Sequence, residues 1–216
     1  MADFLIAYAP LKRFEGGWCD VPGDAGGETC AGIARNFFPD WHGWPIIDAA
    51  KRHRSFQEGA AAFSRHLGGL PGLSDMVKEF YRVEWWERMR LGRFPQIVAD
   101  ELFEQAVNLG RSGAGRLLQR LCNAFNYDRG RPLFEDLIED GAAGPKTLRA
   151  LAALLDGHVS APELVHALNG LQTAHYVHLA ARNPARRKFM AGWLSRTHCP
   201  EPCRQDGEPS GICKEE

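Results

Sequence analysis

From residue 4 to residue 196 the apolar side chains recur three or four positions apart in one segment after another, and they do not alternate over the length of a strand. "FLIAYAPLKRF" sets Phe4, Tyr8, Leu11 and Phe14 on helical spacing, although Pro10 is expected to delay or kink that helix. "SFQEGAAAFSRHL" offers Ser55 as an N-cap with Glu58 three residues on as its capping-box partner. "SDMVKEFYRVEWWERM" gathers Met76, Val77, Phe80, Val83, Trp85 and Trp86 around one face, which makes those two tryptophans core residues. "QIVADELFEQAVNLG" stacks Ile97, Leu102, Ala106 and Leu109 and is expected to end on Gly110, and "AGRLLQRLCNAF" follows. After a turn at residues 126–134, one helix has Pro145 in its first turn and Gly157 beyond its end. A second carries a capping box of Ser160 and Glu163, and the short "ARRKFMAGWLSR" closes the series. Such a chain is mainly α.

One stretch resists this pattern. "RFEGGWCDVPGDAGGETCAGI", residues 13–33, holds five glycines within twelve positions, interleaved with Glu15, Asp20, Asp24, Glu28 and Thr29. The region near residues 15–45 is therefore expected to be irregular, with "CAGIARNFF" holding at most a very short strand.

Charge narrows the partners. The chain carries −1 overall, but residues 1–50 carry −4, residues 51–134 carry +5 and residues 135–216 carry −2. The basic middle could face an anionic substrate, or could be no more than a solvated helix surface. It contains no nucleic-acid reading motif, and a nucleic-acid role is not expected. "MADFLIAYAPLKRF" lacks the basic start and long apolar run of a signal peptide, and no stretch is apolar enough to span a membrane. The expectation is synthesis in the cytoplasm, without stable membrane insertion.

Six cysteines are too few for a disulfide scaffold, and three of them fall in "HCPEPCRQDGEPSGIC". With His198 those three offer a zinc site on paper, but the spacing fits no common finger, and no metal is expected. Cys19 and Cys30 flank the acidic stretch and could bridge it. His175 and His178 lie three apart on a helix without a third ligand.

The acidic stretch can do chemistry. Glu15 stands at a helix C-terminus, whose electronegative end disfavours a charged carboxylate, and Phe14, Trp18 and Phe37 would desolvate it further. Both effects raise the pKa of an acid, as a proton donor near neutrality requires. Gly16 and Gly17 let backbone approach a bulky ligand. Asp24 lies nine residues on, in a loop able to fold back, and Thr29 could hold a water. Two carboxylates with a water between them is the arrangement of an inverting glycosidase. The same turn could be a calcium-binding or purely structural acidic loop, though it lacks the alternating acids and closing bidentate Glu of an EF-hand.

The residues "FEGGW…D…GDAGGET…GI" resemble the N-terminal signature of glycoside hydrolase family 108, lysozyme-like muramidases of phages and bacteria. Glu15, Gly16, Gly17, Trp18, Asp20, Asp24, Gly26, Gly27, Thr29, Gly32 and Ile33 take the signature positions. Val21 separates Asp20 from Pro22 where the family tends to run Asp into Pro, and Cys19 and Cys30 stand at places usually polar. The broader phage-lysozyme pattern of Glu, eight residues, Asp, about five, Thr is approximated too. "LFEQAVNLGRSGAGRLLQRLCN", "IEDGAAGPKTLRAL" and "YVHLAARNPARRKFMAGWLSR" are similar to the companion region known as a predicted peptidoglycan domain, so the likeness covers roughly residues 3–196.

The resemblance implies a mainly α lysozyme-like fold with residues 1–95 as its catalytic part. Residues 96–197 would be a helical peptidoglycan part packed on it as one compact unit; Pro, Gly and charge dominate from Pro200 on, and 198–216 is expected to be a disordered tail. It implies cleavage of the β-1,4 bond between N-acetylmuramic acid and N-acetylglucosamine, with Glu15 as general acid. Asp24 would stabilise positive charge or activate water, Thr29 would place that water, and Asp20 is the substitute if the loop folds otherwise. Gly16, Gly17, Trp18, Asp20, Trp41 and Asn108 are the expected substrate contacts, Asn108 being equally readable as a helix cap; Trp44 could also stack on sugar. Asp140 and Thr147 are expected to be structural. No cofactor is needed, because protonation and charge stabilisation suffice. The expected partners are peptidoglycan glycan strands, reached by a monomer after release through a holin-type route. The competing functions are a non-catalytic wall-binding or secretion-accessory protein, and a lytic transglycosylase.

Overall fold

The structure, a computed structural model, describes residues 1–14 and 17–197. Glu15, Gly16 and the tail 198–216, with His198, Cys199, Cys203 and Cys213, lie outside the described residues. Helix α1 runs Phe4–Phe14 straight through Pro10, which does not end it. Its buried side chains Phe4, Ala7, Tyr8 and Leu11 repeat at three and four, the spacing of one helical face. Three two-residue strands follow: β1 Trp18–Cys19, β2 Thr29–Cys30 and β3 Ile33–Ala34, antiparallel in the order β1-β2-β3.

Short helices then build outward: α2 Trp44–Ala50, α3 Ala60–Gly68 and α4 Leu73–Tyr81, the last continuing into a π-helical turn at Arg82–Glu87. The long α5, Gln96–Ala124, is the spine. After a loop come α6 Pro145–Leu155, α7 Ala161–Arg182 and the short α8 Met190–Leu194. Helices α5 and α7 share the most extensive helix–helix contact. A single hydrophobic cluster runs from Phe4 through Phe63, Leu102 and Leu118 to Leu168, so residues on both sides of position 95 share one core. The fold is mainly α and lysozyme-like. Among the described residues no helix is long and apolar enough to cross a membrane.

Several local expectations hold. Ser160 and Glu163 form a full capping box, Pro145 opens α6, and Trp85 and Trp86 are buried. Others are corrected. Ser55 does not cap α3: it sits in a 3-10 turn at Arg54–Phe56 capped by His53, and α3 begins after Gly59. Glu58 instead stands 3.8 Å from Arg54. Gly110 does not stop its helix: it takes φ 72 and ψ 156, kinks α5, and the helix resumes. A helical run on either side outweighs one left-handed residue where both halves bury apolar surface. Val98, Ala99, Leu102, Phe103 and Ala106 repeat at three and four and form the buried face of α5 before the kink, while Ile97 is 38% exposed.

The cysteine bridge is also excluded. Cys19 pairs across the sheet with Thr29, and Cys30 with Trp18 and Ile33. Directly opposed residues share a face and neighbours along a strand do not, so Cys19 and Cys30 point to opposite sides. Cys19 is exposed and Cys30 is buried.

Candidate active site

The chain leaves α1 and is pinned at once. Gly17 accepts a hydrogen bond from the Ala31 amide at 3.3 Å, and the Trp18 amide donates to Ser64 Oγ at 2.7 Å. A Cβ on Gly17 would come within 2.2 Å of Ser64 Oγ, so only glycine lets this segment lie against α3. The Ala31 carbonyl in turn accepts from the Tyr81 hydroxyl at 3.0 Å, and a Cβ on Gly32 would meet that oxygen at 2.4 Å. Two of the glycines that marked the stretch are thus close-approach positions.

Asp24 is exposed at the tip of the loop. Its amide donates to Val21 O, its carbonyl accepts from Gly27 N, and its Oδ1 accepts from Gly26 N, each at 3.1 Å. Its Oδ2 takes no hydrogen bond among the described residues. A Cβ on Gly26 would lie 3.0 Å from Ala34 Cβ and 3.8 Å from both Asp24 Oδ1 and Phe37 Cε2. The aspartate therefore stands one glycine away from Ala34 and Phe37. Thr29 donates to Gly27 O at 3.2 Å, and its register opposite Ala34 puts the two on one face of the ribbon.

Ala34 and Phe37 are walls of a cavity of about 910 Å³. Its other sides are Gly32, the Glu84–Met89 turn, α5 at its Gly110 kink, and the loop Asp140–Gly144. A second cavity of about 780 Å³, floored by Trp41, Met76 and Phe80, shares Phe37, Phe38, Glu84, Arg88 and Arg111 with the first. At their junction Glu84 is held by Arg88 at 2.8 Å and Arg111 at 3.1 Å. The exposed Phe37 ring, 64% accessible, forms the ridge between them.

The loop Asp140–Gly144 is a rigid wall. Gln119 of α5 donates to Asp140 Oδ1 at 2.8 Å and to the Ala142 carbonyl at 3.1 Å, and accepts from Gly141 N at 2.8 Å. The Gln119 bond foremost, and the Ala142 amide donating to the same oxygen at 2.8 Å, hold the Asp140 carboxyl below its usual range. Thr147 is buried and bonds the Ala142 carbonyl. Both residues are structural, as expected.

The other expected contacts are more enclosed. Trp18 is half-buried, edge-on to Phe56 and Phe63, with its indole N–H on Glu28 Oε1 at 2.6 Å. Trp41, 9% exposed, stands edge-on to Trp44 and lines the second cavity. Asn108 does not cap a helix: in mid-α5 it donates to the Glu104 carbonyl at 2.9 Å and to the Glu104 carboxylate. Asp20 and Gly17 are exposed.

Sequence reasoning missed Glu28. It is 9% exposed, and Arg35 Nε at 2.8 Å, Lys51 at 2.9 Å and the Trp18 indole surround it. Asp48 of α2 joins Arg35 at 2.7 Å and Lys51 at 3.0 Å. Hydrogen bonds from Arg35 chiefly, and from Lys51, hold the Asp48 carboxyl low. Burial works against the Lys51 charge, but the bonds to Glu28 and Asp48 outweigh it and raise the Lys51 pKa. A carboxylate so committed anchors the ribbon to α2. Only the Asp48–Lys51 spacing on one helix face was visible in the sequence.

Residues 9–110 match the family described as Glycosyl hydrolase 108, and residues 113–198 match the Predicted Peptidoglycan domain. The two matched regions meet at the Gly110 kink of α5. Together they make the chain a glycoside hydrolase that acts on peptidoglycan. Among solved structures, Brucella abortus SagA has the same fold, with a TM-score of 0.54, 21% identity, and coverage of 90% of this chain and 88% of that one. No curated protein matches the sequence.

Proposed function

We propose that this chain is an N-acetylmuramidase of the glycosyl hydrolase 108 family. It would cut the β-1,4 bond between N-acetylmuramic acid and N-acetylglucosamine, with Glu15 protonating the leaving oxygen. Asp24 stabilises the positive charge of an oxocarbenium-like transition state or activates water, and Thr29 orients that water. Gly16, Gly17, Trp18, Asp20, Trp41 and Asn108 remain the proposed substrate contacts.

The observation that carries this reading is the shared placement of Asp24 and Thr29. One stands across Gly26 from Phe37 and Ala34, the other pairs with Ala34 in the sheet, and Ala34 and Phe37 line the larger cavity. The pinning of Gly17 to Ala31 brings the chain just after Glu15 to the same ribbon. A cavity of about 910 Å³ falls within the range of small-molecule sites and admits a sugar unit. Synthesis in the cytoplasm, release by a holin-type route, and action on the wall as a monomer complete the proposal.

End-group analysis of the products of digested peptidoglycan tests it. Reducing muramic ends support a hydrolase, and anhydro ends would reassign the chain as a lytic transglycosylase. Wall binding without any product would leave a non-catalytic binding protein.

A further inference from the structure

Part of the basic excess of residues 51–134 lines one cavity. Much of the rest is neutralised nearby: Arg54 by Glu58, Lys78 by Asp75, Arg82 by Glu79, Arg88 and Arg111 by Glu84, Arg120 by Glu139. Arg90 and Arg93 have no carboxylate partner among the described residues. They stand at the two ends of a short turn, and Arg149 of α6, equally without a carboxylate partner among the described residues, lines the same cavity. That cavity, about 630 Å³, has Phe94 and Leu148 in its apolar lining and Asp156 as its one acid. Three guanidinium groups against one carboxylate leave it with a net charge of +2.

Arg90 also holds a left-handed backbone, φ 54, a conformation that glycine adopts without strain. An arginine kept there supplies a charge at some cost in strain. The cavity joins residues of both matched regions: Arg90 and Arg93 lie in the hydrolase part and Arg149 in the peptidoglycan part.

We propose that this cavity binds the carboxylates of the peptide stems borne by peptidoglycan, an inference that rests on the peptidoglycan reading above. On a substituted strand the lactyl carboxyl of each N-acetylmuramic acid is taken up in the amide to its stem, so the strand presents its carboxylates on the stems. Guanidinium forks match carboxylate geometry, and the apolar lining suits the small alkyl side chains of a stem. The site lies apart from the two cavities around Phe37, with which it shares no lining residue. It thus adds recognition of the branch to recognition of the strand.

The test is calorimetric titration of the full chain with a disaccharide–tetrapeptide ending in N-acetylmuramic acid, which lacks the bond to be cut. The peptide-free disaccharide, which carries a free lactyl carboxylate but no stem, and inorganic phosphate are titrated alongside. The expected result is at least about ten-fold tighter binding of the peptide-bearing probe, weakening with salt. Arg149→Ala, and separately Arg90→Ala with Arg93→Ala, should each reduce that preference about ten-fold. These side chains are exposed, and an unchanged thermal transition verifies that the variants fold. Equal affinity for both disaccharides, or a preference untouched by the substitutions, would overturn the proposal. Phosphate binding without a preference for the stem would overturn it in favour of a simple ion site. Cleavage of peptide-free glycan by the wild type reports on the muramidase reading separately.

Discussion

Glu101 of α5 accepts a 2.8 Å hydrogen bond from the Asn169 amide of α7, across the largest helix–helix contact of the fold. Gln105 donates to its other oxygen at 2.8 Å, and the neighbouring Glu104 accepts from Gln172 at 3.1 Å. Desolvation by burial pushes Glu101 up to about 7 and raises Glu104 as well. The amide oxygens of Gln105, Asn169 and Gln172 are buried without a donor among the described residues. A protonated Glu101 can supply one once the Gln105 amide is turned over, which satisfies both groups.

The first prediction concerns pH. The folded pKa of Glu101 lies above the unfolded value near 4.3, so its contribution is fully present below that value and is lost as pH rises through about 7. The loss is on the order of 3 kcal/mol at most. Denaturant unfolding between pH 4.5 and 8 should show wild-type stability falling more steeply than that of Glu101→Gln, which carries no titrating group there. Parallel curves for the two proteins would refute the assignment.

Gly17→Ala tests the pinning of the segment after Glu15. The new Cβ must displace Ser64, whose Oγ and Cβ lie 2.2 and 2.5 Å from its position. Activity on peptidoglycan should fall about 100-fold, because small displacements near the reacting groups cost that much. Ser64→Gly should partly restore it in the double variant, since the remaining Cα lies 3.8 Å away, an ordinary contact. No recovery would mean that the glycine is needed for something other than room.

Much of the fold was legible because its signals are local. Ser160 and Glu163 announce a helix start within four residues, and Pro145 and Gly157 bracket α6. Ser55 misled because a capping pattern can equally form a tight turn, and His53 took the capping role there. Gly110 misled because the helix beyond it packs well enough to resume. The glycine-rich stretch was readable as a site; its supports were not. Glu28 is fixed by Lys51 and Asp48, Gly17 by Ser64, and Gly32 by Tyr81, partners that fold alone brings together.

The Glu28 cluster yields a third prediction. Glu28→Gln keeps the shape and an acceptor for the Trp18 indole but removes the charge facing Arg35 and Lys51. Stability should fall by about 1–3 kcal/mol, the range for charged hydrogen bonds of partly buried groups. Adding Lys51→Met should recover part of the loss, measured as a double-mutant cycle by chemical denaturation.

Asp24→Asn should lower turnover by about 10²–10³-fold while leaving the unfolding midpoint within about 0.5 kcal/mol of wild type, as expected for an exposed residue. Steady-state rates on purified glycan strands, paired with thermal melts, separate the two effects. A large loss of stability would make Asp24 a loop-forming residue instead.

The most direct test of the central claim is digestion of purified peptidoglycan by wild type and Glu15→Gln, with products read by mass spectrometry. The expected result is reducing muramic ends from the wild type and a rate about 10²–10⁴-fold lower from the variant. Equal product from both proteins would contradict it, and would move the proton donor to another residue of the cleft.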